Sequence, residues 1–150
     1  MKQVDIDQET RQAFSFLSAG DLAALASDLV PVELAAGEVL FRLGEVSSSV
    51  YFLVSGRLAV RKKTGFAEKM QVVALLDPGA PVGEGAVFPG QIHAATVVAI
   101  EDSRLLGLAG PSLEILKKRD SALAWKIVTR LLYVSHLRLR RNSDRLALVL

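Results

Sequence analysis

The sequence has no cysteine, only two histidines in 150 residues, and no long apolar run. The absence of cysteine excludes a disulfide framework, a zinc–thiolate site and thiol chemistry. A membrane-spanning helix needs about 18 consecutive apolar residues, and charge or proline interrupts every apolar stretch of this chain before that length. The N-terminal segment 1–11 is polar and acidic, unlike a secretory signal. We therefore expect a cytoplasmic protein that does not enter a membrane and holds no metal.

The chain is rich in hydrophobic residues, and its charged residues are unevenly distributed along the sequence. Hydrophobic residues make up 51% of the sequence, which argues against disorder and for one domain over residues 1–150. The segment 117–145 carries nine lysine and arginine residues against two aspartates. Because the whole chain is +2 and this segment is +7, the remainder is −5. Such a basic segment is either a solvated helix face, which we favour, or a surface for an acidic partner or nucleic acid.

The first 109 residues show a helical pattern and then short strands. Leucines recur with helical spacing over Ser18–Leu29, with Ser18 as the N-cap and Pro31 as the stop, so segment 12–30 is the predicted N-terminal helical part. Short apolar strands separated by turns with glycine fill 31–109, which is typical of a jelly roll or β-roll. The clearest strands are predicted at Val32–Leu34, Val39–Phe41, Val50–Val54, Leu58–Arg61, Gln71–Leu76, Ala94–Ile100 and Arg104–Leu108.

Region 111–142 returns to a helical period. Pro111 suits the first turn of a short helix, and a long helix is predicted over Ser121–Arg141. Its apolar residues exceed what one face needs, so one face packs on the barrel and another on a second copy. We predict a homodimer whose interface residues are spaced like a coiled-coil seam: Leu123, Ile127, Leu131 and Val134. The predicted fold class is mainly β with flanking helices: an eight-stranded jelly-roll barrel with an N-terminal helix and a long C-terminal helix.

The most informative stretch is Val82–Thr96, which reads V-G-E-G-A-V-F-P-G-Q-I-H-A-A-T. Its glycine-rich part, Gly83–Ala86, is predicted to be a turn that opens a short helix. Such a turn points several backbone N–H groups at one spot, which suits a phosphate. The carboxylate of Glu84 would repel a phosphate, so it should face another group, such as a ribose hydroxyl.

The chain resembles the cyclic-nucleotide-binding domain shared by the catabolite activator group of bacterial regulators and the regulatory subunits of protein kinase A. The resemblance covers roughly residues 14–141. Its first motif is G-E-V-L-F-R-L-G-E at Gly37–Glu45, followed by V-Y-F-L-V-S-G-R-L at Val50–Leu58. Its second is L-D-P-G at Leu76–Gly79, followed by Val82–Glu84 and by A-A-T-V from Ala94.

This resemblance implies a ligand site. The turn would give its amides to a cyclic phosphate and the Glu84 carboxylate to the ribose 2′-hydroxyl, while Gly85 replaces a larger aliphatic residue. The arginine that normally pairs with the phosphate is replaced by His93. The implied ligand-binding residues are Val82, Gly83, Glu84, Gly85, Ala86, His93 and Ala94. Because losing a charge-assisted hydrogen bond costs roughly 1.5–3 kcal/mol, we expect cyclic AMP or cyclic GMP to bind weakly.

The function implied by the resemblance is a non-catalytic regulatory module. It binds, or descends from one that binds, a cyclic nucleotide, and it signals through its C-terminal helix. The alternative is a degenerate, ligand-free dimerisation or interaction domain of a transcription-regulator-like protein. A cupin-like enzyme on a related jelly roll would need several histidines around a metal, whereas this chain has His93 and His136 alone. No helix-turn-helix follows the long helix, so we expect no direct DNA binding by this chain alone: either a DNA-binding part lies outside this sequence, or the domain acts through a protein partner.

Overall fold

Two four-stranded antiparallel sheets face each other at the centre of the computed structural model, which describes residues 4–65 and 69–149. The strand order is β1-β8-β3-β6 in one sheet and β2-β7-β4-β5 in the other. The eight strands are β1 (Leu29–Leu34), β2 (Val39–Phe41), β3 (Ser49–Ser55), β4 (Leu58–Lys63), β5 (Met70–Leu76), β6 (Pro81–Val82), β7 (Thr96–Ala99) and β8 (Ser103–Ala109). The predicted jelly-roll fold is confirmed. The short strand β6 is an addition that the sequence pattern did not indicate.

The N-terminal helices differ from the prediction. Helix α1 (Gln8–Ala13) starts before the predicted helical part, and helix α2 (Ala19–Leu25) is followed by a 3-10 turn over Ala26–Asp28. The predicted cap is correct, because the Ser18 hydroxyl accepts a hydrogen bond from the Asp21 amide. The predicted helix end is wrong, because Pro31 lies inside β1 instead. Strand β1 lies at the edge of its sheet, next to β8, and an edge strand tolerates a residue without an N–H donor.

Asp21 has a second role beyond the cap of α2. Its carboxylate accepts a hydrogen bond from the Ser18 amide and also receives the Lys126 ammonium at 2.6 Å. The hydrogen bonds from Lys126 and Ser18 lower the pKa of Asp21 below its ordinary value. One carboxylate therefore ties the N-terminal helices to the C-terminal part of the chain.

The C-terminal part consists of helices α3 (Gly110–Arg119) and α4 (Ser121–Val149). Pro111 lies in the first turn of α3, as predicted. Helix α4 has 29 residues and so runs past the predicted end at Arg141 to a length of about 43 Å. No glycine or proline follows Ser121 in the sequence, so nothing local ends the helix at Arg141. Within 4–65 and 69–149, no helix is both long and apolar enough to cross a bilayer.

The core has two parts. The first lies between the helices and the sheet that contains β3 and β8, where Phe14 packs against Phe52. The α4 residues of this part include three large side chains that are almost completely buried: Leu123, Ile127 and Leu131. The second part fills the space between the two sheets and includes Leu53, Leu58 and Leu105.

The burial of these three α4 residues corrects the predicted dimer seam. Leu123, Ile127 and Leu131 are buried in the chain's own core, together with residues of the other helices and of the sheet that contains β3 and β8, and are not available to a second copy. Val134, the fourth predicted seam residue, is partly buried. Helical periodicity identifies an apolar face, but it does not say whether that face meets the same chain or another one. The apolar face of α4 that stays exposed is a different one.

Candidate functional site

The Gly83 turn has a backbone conformation that requires glycine. Gly83 has φ +81°, and a Cβ at this position would meet the Ser49 carbonyl oxygen at 2.8 Å. The turn leads into a 3-10 helix over Glu84–Val87. The Ala86 amide donates to the Gly83 carbonyl at 3.1 Å, so the turn itself uses this amide. The amides of Glu84 and Gly85 open the helix and have no acceptor inside it, so they are the ones suited to an anion.

Gly85 differs from Gly83 although the two are close in sequence. Its φ lies outside the left-handed range, and a Cβ there would make ordinary contacts at 3.6 Å with the Ser47 hydroxyl and at 3.7 Å with Gln91. The position therefore has room for a methyl group. The Ser47 hydroxyl is buried and has no hydrogen-bond partner among the residues that the structure describes.

A cavity of about 880 Å³ opens beside the Gly83 turn, between the sheet that contains β5 and helix α4. This volume is in the range of small-molecule sites. Its apolar wall includes Phe41, Val60, Leu76 and Val97. Its charged and titratable lining residues are Lys62, Glu84, His93, Arg138, Arg141 and Arg145. An apolar wall next to amides and cations suits a ligand that has both a flat apolar part and an anionic group.

His93 is a buried wall residue of this cavity, with 8% of its surface exposed. Its ring stacks on Phe41 with the ring centroids 3.5 Å apart and the planes 5° apart. Burial lowers the pKa of His93 below its ordinary value of 6.5, although the carboxylates of Glu45 and Glu84 act in the opposite direction. Burial therefore favours the neutral imidazole in the ligand-free domain.

Arg138 reaches the same turn from helix α4. Its guanidinium donates to the Pro81 carbonyl oxygen at 2.6 Å, and its second terminal nitrogen lies 3.9 Å from a Glu84 carboxylate oxygen. Burial lowers the pKa of Arg138 below its usual value, while the charge of Glu84 raises it and that of Arg141 lowers it. An arginine nevertheless stays protonated at neutral pH. Arg138 thus places a permanent positive charge next to the turn.

The structure brings most of the predicted ligand-binding residues to one place. Those that line the cavity are Val82, Gly83, Glu84, His93 and Ala94. Gly85 is part of the turn but not of the wall. Ala86 faces the other way and packs into the core under the helices.

The sequence interpretation missed Arg138, which it grouped with a solvated basic face. The available signal was the spacing of Arg138, Arg141 and Arg145, since steps of three and four place residues on one side of a helix. That spacing shows a common side, but only the fold shows that this side covers the cavity.

Comparison with known proteins identifies the family. The family model for the cyclic nucleotide-binding domain matches residues 31–120. The chain therefore belongs to the cyclic nucleotide-binding domain family, which confirms the resemblance seen in the sequence. The fold agrees: a crystal structure of a cyclic nucleotide-binding domain from Methylobacillus flagellatus superimposes with a TM-score of 0.80 at 23% identity, covering 86% of this chain and 72% of that one.

Similar sequences occur in longer proteins. A protein of Rhodopseudomonas palustris described as a potassium channel is 36% identical over 114 residues, which is 76% of this chain and 27% of that protein. The CRP-like cAMP-activated global transcriptional regulator of Mycobacterium tuberculosis is 24% identical over 139 residues, which is 89% of this chain and 58% of the regulator. The chain thus spans 27% and 58% of the length of these two relatives.

Proposed function

We propose that this domain is a non-catalytic regulatory module that binds a cyclic nucleotide in the cavity and transmits binding through helix α4. One observation carries the proposal: the Gly83 turn, the Glu84 carboxylate and α4 line the same cavity. A turn with free amides suits the cyclic phosphate, a carboxylate suits a ribose hydroxyl, and the apolar wall suits a base. Because α4 forms one side of the cavity, a bound ligand would contact it directly.

The experiment for this proposal is calorimetry on ligand-free protein with cyclic AMP, cyclic GMP and cyclic di-GMP. We expect one of the cyclic mononucleotides to bind with a stoichiometry of one per chain. Binding of none of the three at millimolar concentration would contradict the proposal. The weak binding expected from His93 sets the concentration range, because a micromolar site that loses about 3 kcal/mol approaches the millimolar range.

A second proposal concerns assembly, and it rests on a different observation. Four large apolar side chains of α4 are spaced seven residues apart and are mostly exposed: Trp125 (72%), Leu132 (69%), Leu139 (66%) and Leu146 (58%). In a coiled coil each of the two seam positions recurs every seven residues, and these four side chains occupy one such position. Two copies related by a two-fold axis would bring the same patch of each copy together, so the pattern is self-complementary. We therefore propose a homodimer through this exposed seam in place of the buried one.

A further inference from the structure

The charged lining of the cavity is unbalanced. It contains four lysine and arginine residues, Lys62, Arg138, Arg141 and Arg145, against the carboxylate of Glu84. The three arginines all come from α4, at steps of three and four residues, and so lie on one side of the helix. Among residues 4–65 and 69–149, Lys62, Arg141 and Arg145 take part in no ion pair. The helix side of the cavity is therefore the cationic side.

Arg138 is the lining cation whose contacts flank the Gly83 turn. It bonds to the carbonyl of Pro81, two residues before Gly83, and lies 3.9 Å from the carboxylate of Glu84, one residue after it. Only 29% of its side chain is exposed. A cation that is mostly removed from water needs a close anion to offset the loss of hydration. The distance to Glu84 is at the outer limit of an ion pair, and only one of the two terminal nitrogens donates to the Pro81 carbonyl, so the guanidinium keeps donors for a ligand anion.

His93 cannot take this role in the form that the structure shows. Its ring is held flat against Phe41, and burial lowers its pKa and so favours the neutral form in the ligand-free domain. Neutral imidazole has a single N–H donor, whereas guanidinium offers a planar fork that matches two oxygens of a phosphate.

We propose that the cation that pairs with the ligand's phosphate is Arg138 of helix α4, and that the β-roll supplies only amides and the Glu84 carboxylate. This inference rests on the proposed function and specifies how its site holds an anion. When a nucleotide binds, the phosphate replaces Glu84 as the partner of Arg138, and Glu84 becomes free to accept from a ribose hydroxyl. Arg141, on the same side of the helix, adds to the positive potential without a direct contact to the turn.

The test is a set of four variants measured by calorimetry with cyclic AMP and cyclic GMP. Arg138→Gln should lower the affinity by about tenfold or more, since a charge-assisted hydrogen bond is lost, and Arg138→Lys should keep part of it. His93→Gln should lower the affinity less than Arg138→Gln does, because no permanent charge is removed. Arg140→Gln is the matched control, because Arg140 is on the same helix but exposed and not part of the cavity lining. An Arg138→Gln protein that binds like the Arg140→Gln protein would overturn the inference.

A second measurement separates this inference from the proposed function. Pyrophosphate is titrated into nitrogen-15-labelled protein, and the signals of the Arg138 side chain and of the Glu84 and Gly85 amides are followed by NMR. Shifts of all three signals in the unaltered protein, with the two amide shifts lost in Arg138→Gln, support the inference even if no cyclic nucleotide binds, in which case the proposed function alone fails. Shifts that persist in Arg138→Gln, or the absence of any shift, overturn it. Thermal unfolding of each variant shows that the fold is intact.

Discussion

Gly83 and Gly85 differ in whether a side chain can be added, although they are only two residues apart. Gly83→Ala places an alanine in a left-handed backbone conformation and brings its Cβ to 2.8 Å from the Ser49 carbonyl oxygen. We expect it to destabilise the fold by about 2 kcal/mol or more and to abolish ligand binding. Gly85→Ala is the matched control, and we expect its stability to be unchanged or raised by up to about 1 kcal/mol. Denaturant unfolding and calorimetry of both variants check this, and equal effects would contradict it.

His93 makes the stability of the domain sensitive to acid. Its pKa in the folded chain is lowered by burial, whereas the imidazole of the unfolded chain titrates near 6.5. Between these two values the unfolded state binds more protons, so the free energy of unfolding falls as the pH decreases through this window. Well above pH 6.5 both states are neutral, and His93 contributes no pH dependence.

The corresponding variant is His93→Gln, which keeps a polar side chain but removes the titration. We expect the loss of stability between about pH 7.5 and about pH 5.5 to be smaller in this variant than in the unaltered protein. Denaturant midpoints at the two pH values measure it. All other titratable groups are the same in the two proteins, so the difference between the proteins isolates His93. Identical pH dependence in both would show that the imidazole is already accessible to protons in the folded state.

The residues of the turn could be predicted from the sequence, while the cation could not. Gly83 and Glu84 lie in a local motif whose turn chemistry depends on neighbours within a few positions. Arg138 meets Pro81 across 57 residues of sequence, and the contact exists only because α4 lies along the cavity. His93 belongs to the same motif, but its stacking on Phe41 and the resulting burial depend on the packing of β2 against the loop before β7.

Helix α4 is the element whose role the sequence described least well. Its periodic apolar residues predicted a helix correctly, and its two apolar faces were both visible in the sequence. The assignment of the faces was wrong, because Leu123, Ile127 and Leu131 are buried in the core of their own chain and do not form a seam with a second copy. The exposed seam that contains Trp125 and Leu132 follows a strict seven-residue spacing, whereas the buried face follows steps of four. Which of the two apolar faces of α4 is buried and which stays exposed is visible only in the folded chain.

The exposed seam gives a direct test of assembly. We expect the unaltered protein to sediment as a dimer at micromolar concentration and Leu132→Glu to sediment as a monomer, because the change places two like charges against each other at the seam. Ile115→Glu is the matched control, since Ile115 is similarly exposed, at 61%, but lies on α3. A monomeric unaltered protein would contradict the proposed dimer, and so would a dimeric Leu132→Glu protein.

At the scale of the whole molecule, the basic segment and the acidic remainder of the chain pair with each other. Arg119 binds Asp28 at 2.7 Å, Lys126 binds Asp21 at 2.6 Å, and Arg138 approaches Glu84. Much of the charge asymmetry seen in the sequence therefore has an explanation within one chain. Two further arginines of the segment, 141 and 145, form no ion pair with any residue that the structure describes, and they line the cavity, where an anionic ligand would meet them.

If the ligand contacts both the β-roll and α4, its binding should stabilise that helix. We expect a saturating cyclic nucleotide to slow amide hydrogen exchange in residues 135–149 by about tenfold, since a bound ligand stabilises, by mass action, the arrangement in which α4 lies against the cavity. Helix α3 is the control within the same chain, because it does not line the cavity. Hydrogen exchange with mass spectrometry measures both regions. Equal slowing in α3 and α4 would indicate general stabilisation of the fold without a specific link to α4.

The carboxylate shared by Ser18 and Lys126 has a mechanical consequence. Asp21 closes the first turn of α2 and, at the same time, holds the ammonium of Lys126 near the start of α4. Any rotation of α4 that withdraws Lys126 would remove one of the hydrogen bonds that fix Asp21 and so loosen the beginning of α2. A movement of α4 would then change the stability of the beginning of α2. The N-terminal helices would in this way be coupled to ligand binding in a cavity that they do not line.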